Sequence, residues 1–244
     1  VLDDRTIRRH GVEERRRYLL PRVVAWLLGV QRGWFGRSVA LVLVHLMVVP
    51  TASDTADFLS TLTAVENPML SAGISVLGVN MGSANAVNLG ALTAQTLTLG
   101  SSGIQKTAGT GAFTVGSNVT IALSGGASFL NADATTALTV SGAITGTGSL
   151  TKSGAGELVL GGVNTFSGGT TVSAGTLTLN GGAALGNTTA LTVSGGWVRL
   201  GASETIGSLS GSGGTVNVQS NTLTIGGSAT TSYAGVIDGV GGSL

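Results

Sequence analysis

The sequence predicts an all-β solenoid, and three observations carry that prediction. Short runs in which every second residue is Val, Leu or Ile recur between clusters of Gly, Ser and Asn, the mark of strands separated by tight turns. The 244 residues include 41 glycines and only 3 prolines, with 4% aromatic and 9% charged residues, so an ordinary core built around large side chains is out of reach. A mean hydropathy of +0.44, with the apolar residues in alternation, separates the chain from Gly-rich disordered tracts. Strands of four or five residues cannot stand alone, and regular recurrence supplies each with a stacked partner.

Residues 1–56 read as a leader. Nine arginines, from Arg5 to Arg37, lie in the first 37 residues, so the pI of about 8.4 belongs to this end of the chain. Val39 to Val49 (VALVLVHLMVV) follows Arg37 and runs into PTASDTA, giving a basic flank, a short apolar run and small residues, the three parts of an export signal. Eleven residues fall short of the roughly 20 a membrane helix needs. The alternatives are a buried helix or an uncleaved anchor extended by Val23 to Val30, and for the Arg runs a nucleic-acid or acidic-lipid patch. Position directly before the apolar run favours targeting. The expectation is a helical or disordered N-terminal export segment.

Residues 57–88 carry only weak alternation and read as an irregular lead-in or cap that protects the first coil from edge pairing. From Leu89 to Leu244 the rhythm holds, in LGALTAQTLTLG, GAFTVGSNVTIALSGGASFLN and TALTVSGAITG, and again in AALGNTTALTVSGGWVRLG and TIGSLSGSGGTVNVQSNTLTIGG. It is clearest over 146–180, where Glu157–Leu160, Thr170–Val172 and Thr176–Leu179 alternate apolar with small residues.

In that stretch Lys152, Gly154, Gly156, Leu158, Leu160, Asn164, Gly168, Gly169, Thr170, Val172, Gly175 and Leu177 follow the order G-L-T-K-x-G-x-G-x-L-x-L-x-G-x-N-x-[FY]-x-G-G-T-x-V-x-x-G-x-L. This resembles the autotransporter-associated β-strand repeat of type V secreted passengers. The resemblance implies a right-handed parallel β-helix with strands stacked in three long sheets, held away from a bacterial surface as a structural stalk. It also implies a membrane β-barrel translocator in the full-length parent. Gly235 to Leu244 (GVIDGVGGSL) repeats Gly142 to Leu150 (GAITGTGSL) with one insertion, which predicts a fragment that stops where another repeat begins, and an open strand edge prone to aggregation.

The residues offer little for catalysis. His10 and His45 lie in the leader, so the body has no base for a Ser-His-Asp triad. G-x-x-x-x-G-K-[ST] is absent, G-x-G-x-x-G fails at Thr151, and no Asp occupies the calcium nonapeptide position. There is no cysteine. Paired carboxylates at roughly 5–10 Å are not expected from singly scattered acids, and Asp133, Arg199 and Asp238 are expected to meet only by an accident of stacking. Beyond residue 57 the body is weakly acidic, with no basic stripe for nucleic acid. The expectation is therefore no enzyme, no cofactor and no metal, hence no catalytic, cofactor-binding or metal residues.

Four kinds of residue remain. Lys152, beside Gly154, reads as a solvated turn residue. Asn164, Asn180 and Asn217 read as turn residues bonded to backbone, and the glycines as corner residues. Trp197 and Phe166 are open to a carbohydrate-stacking reading, but without evident polar partners they read as bulky residues at a turn or coil end. The alternatives to a stalk are thus a surface adhesin or carbohydrate-binding module with a host surface or glycan ligand, and then a β-helix polysaccharide lyase.

Overall fold

The computed structural model describes residues 23–24, 52–53, 55–58, 69–70 and 72–244. The export run at 39–49 and most of the Arg-rich leader lie outside the described residues. Val23–Val24, within the proposed extension of that run, is a short strand paired in parallel with Thr55 and Ala56.

All named strand pairings are parallel, no helix occurs among the described residues, and the chain winds through about eight solenoid turns. Parallel pairing at a near-constant chain spacing is what the recurrence demanded, because a strand can meet its parallel neighbour only after a full coil. The first sheet has 11 strands, and its main path includes Ile74–Met81, Gln95–Lys106, Ala127–Asn131, Leu150–Ser153, Thr170–Val172, Ala190–Val193 and Ser208–Ser210. The second has 9, including Val87–Ala91, Phe113–Val115, Leu138–Val140, Glu157–Leu160, Thr176–Leu179, Trp197–Leu200, Thr215–Asn217 and Val236–Asp238. Inward columns such as Leu138, Leu158, Leu177, Val198 and Val216 are in register and wholly buried. They join the other sheet's apolar columns in one continuous core.

Three expectations need correction. The solenoid starts before residue 89: Ile74–Met81, in the span read as irregular, is an eight-residue strand carrying buried Val76, Val79 and Met81. Its alternation is hidden by Leu77-Gly78, where the register with Gln95–Lys106 shifts. There are two long sheets rather than three. Among the described residues the third side forms a ladder early, where Ile74–Val76, the Gln95–Leu99 half of its strand, Val119–Leu123 and Ile144–Gly146 stack in turn, and again only where Glu204–Ile206 meets Leu223–Ile225. Finally, Val236–Asp238 pairs with Thr215–Asn217 in the second sheet, whereas its sequence copy Ile144–Gly146 lies on the third side. The two copies are not equivalent in space.

Candidate functional site: a buried lysine corner

The corner between the first and second sheets is built from glycines. Gly154, Gly175, Gly196 and Gly214 occupy it in successive coils with φ of 74°, 66°, 69° and 77°. A Cβ on Gly175 would overlap the carbonyl oxygens of Gly154 and Gly156 and lie 2.7 Å from Lys152 Nζ. Left-handed backbone and close coil approach together leave no room for any other residue. Trp197 N–H then donates to Gly175 O at 2.8 Å and Thr215 N–H to Gly196 O at 3.0 Å, tying coil to coil.

Lys152 fills this corner from below. In Leu150–Ser153 the inward residues are Leu150 and Lys152, and Lys152 is fully buried, stacked between Phe129 and Val172. The solvated reading is therefore wrong. Its Nζ donates to Ser153 O at 2.7 Å and Gly154 O at 2.8 Å in its own turn, and to Ala174 O at 3.1 Å in the next coil. The ammonium is satisfied by three carbonyl dipoles, without a carboxylate partner among the described residues. Burial pushes its pKa down from 10.5 to about 8.

Two coils earlier a second lysine does similar work. Lys106 is fully buried and donates to Thr136 Oγ1 at 2.6 Å and, at 3.4 Å, to Thr110 O. Asp133, 5% exposed, accepts from Thr135 Oγ1 and N, Thr136 N and Thr110 N, and Asn131 bridges to Thr136 O and Glu157 O. Desolvation lowers the Lys106 pKa against the pull of Asp133, while the Thr135 hydroxyl and amide hold the Asp133 carboxyl well below the usual range.

On the third side beyond Ile144–Gly146, polar side chains take over from the ladder. Asn164 Oδ1 accepts from Ile144 N–H at 2.7 Å and its Nδ2 donates to Ala184 O at 2.6 Å. Glu204, 2% exposed, accepts from Ala184 N–H and Leu185 N–H, each at 3.0 Å. Burial raises its pKa against those two bonds. Asn164 and Asn217 thus bond to backbone as expected, the latter accepting from Gln219 N–H, whereas Asn180 is exposed. Phe166 is 1% exposed and belongs to the core rather than to a turn surface.

The residues considered for chemistry are spread out. Arg199 and Asp238 do share an outward column of the second sheet, with Asn217 between them, but Asp133 sits at the lysine corner. Arg199 pairs with Glu157 at 4.0 Å. Glu157 and Asp238 are four coils apart, about 19 Å at the strand spacing. Among the described residues no group of three or more His, Cys, Asp or Glu is placed to hold a metal.

Residues 150–179, the span from Leu150 to Leu179 that holds the Lys152 corner and the Asn164 bridge, match the family described as the passenger-associated transport repeat. The chain carries an autotransporter passenger repeat. Over 180 residues, 68% of the chain, it is also 38% identical to the adhesin BmaC autotransporter of Brucella suis biovar 1 (strain 1330). The match spans 5% of that protein's length. No solved structure matches the chain. The repeat's Lys, Asn and glycines are thus its coil-stacking hardware: Lys152 and Asn164 bond across coils, and Gly154, Gly156, Gly168 and Gly175 sit where a Cβ would strike the preceding coil.

Proposed function

We propose that the chain is a stalk segment of a bacterial autotransporter passenger, displayed at the cell surface and without catalytic work of its own. The observation that carries this reading is the match of the passenger repeat to a coil whose lysine, asparagine and glycines all serve stacking, with none aimed at a ligand. About eight coils at about 4.8 Å give a rod about 38 Å long, stiffened by ladders and corner bonds at every turn. In this reading residues 1–56 direct export, the solenoid is threaded outward by a β-barrel translocator in the parent protein, and stacking of each emerging coil on the last opposes its return.

A second reading, surface adhesin, is favoured by the name of the Brucella relative. A polysaccharide lyase gains nothing from acids separated as Glu157 and Asp238 are. The test is an epitope inserted at Gly109, an exposed corner where a Cβ would meet nothing within 4 Å. Intact producing cells should bind the antibody, and should cease to do so when the translocator is deleted. An epitope reached only after lysis contradicts surface display.

A further inference from the structure

The outward face of the second sheet carries a large aromatic that the solenoid does not use. We infer that Trp197, with Arg199 and Glu157, forms a contact site for a neutral glycan. In Trp197–Leu200 the core is filled by Val198 and Leu200, both fully buried, while Trp197 stands outward and 49% exposed. Its in-register neighbours are Thr176 and Thr215, so the indole rises above small side chains on both flanks. About half of the residue's surface is therefore open to a stacking partner.

The polar partners that the sequence did not reveal are supplied by register. Arg199 lies two residues along on the same face, with Nη1 4.0 Å from Glu157 Oε1, and the Thr178 hydroxyl donates to that same oxygen. Thr178, Arg199 and Asn217 form one column, and Asn217 Oδ1 accepts from Gln219 N–H. A pyranose offers an apolar C–H face with hydroxyls around its rim. The indole suits the first, and the guanidinium donors and carboxylate acceptor suit the second. The repeat of about 4.8 Å between coils lets successive hydroxyls of a saccharide chain meet successive rows. Arg199 faces Glu157 at 4.0 Å and Asp238 follows in the same column, so carboxylates outnumber the guanidinium and the face favours uncharged over acidic sugars.

The glycan site goes beyond the stalk reading and is tested apart from it. The full chain, W197T and R199T are applied to a printed array of neutral and acidic glycans. Threonine is what the preceding coil holds at both positions, and thermal unfolding by circular dichroism verifies that the variants keep the parent's fold. The parent should bind neutral pyranose glycans, W197T about tenfold or more weakly, and R199T a few-fold weakly, with unchanged melting. Absence of any neutral-glycan binding by the parent, preference for acidic glycans, or equal binding by a folded W197T overturns the site. None of these outcomes alters surface labelling, on which the stalk reading depends.

Discussion

Replacing Lys152 by methionine keeps an apolar stem of similar length and removes the ammonium. Three half-buried carbonyls, those of Ser153, Gly154 and Ala174, lose the donor they share. At about 1 kcal/mol each, K152M should cost about 3 kcal/mol at pH 7. The pH dependence is a sharper signature. The folded pKa of about 8 lies below 10.5, so between those values the unfolded chain binds more protons than the folded one and stability rises with pH. This contribution is complete above 10.5 and is lost as pH falls through 8. Full conversion of the shift gives about 3 kcal/mol, reduced to about 2 because the corner opens beside exposed Ala155. The deficit of K152M should therefore widen from about 3 kcal/mol at pH 7 to about 5 near pH 10. Urea unfolding followed by circular dichroism at four pH values between these limits reads both numbers, and Lys106, common to the two proteins, cancels. A deficit below about 1 kcal/mol, or one that does not grow with pH, refutes the buried-ammonium account.

Other substitutions probe the remaining devices. Gly175→Ala should cost more than about 3 kcal/mol by urea unfolding, because positive φ and overlap with two carbonyls coincide, whereas Gly109→Ala, with a similar φ of 74° and open space, should cost about 1. Glu204→Leu leaves the Ala184 and Leu185 N–H groups buried without acceptors and should lower stability by about 3 kcal/mol. The Glu204 pKa is raised, so its own contribution is full below 4.5 and is lost as pH rises through the folded value; the parent should show that fall and E204L should not. The hydroxyl of Thr170 is buried without a partner in a column with Leu150 and Leu191, so Thr170→Val should stabilise the chain by about 1 kcal/mol in the same assay.

The strands are legible in the sequence because the local signal is strong: Glu157–Leu160, Thr170–Val172 and Thr176–Leu179 lie where alternation places them. The third side from Asn164 to Leu185 is not, because there its backbone is held by Asn164 and Glu204 rather than by an apolar ladder, and a lone Asn or Glu between turns reads as a loop. Residue type hides Lys152. Its parity with Leu150 already assigns it to the inner face, as the parity of Lys106 with Ile104 does, but lysine is rarely buried and the carbonyls that hold it come from turns with no sequence mark beyond glycine. The polar setting of Trp197 is invisible for a different reason. Glu157 and Thr178 precede it by 40 and 19 positions and meet it only through coil register.

Residues about 20 apart in sequence stack in parallel register along one rod. The outward column Thr114, Thr139, Val159, Thr178, Arg199, Asn217 is a ruler for it. The chain has no native cysteine, so spin labels can be placed at T114C and N217C alone and their separation read by pulsed electron resonance. Five coil steps predict a narrow distribution centred about 24 Å apart at the backbone. A broad distribution at much longer distance, or a narrow one that does not shorten by about 5 Å when the first label moves to Thr139, would contradict the stacked parallel rod.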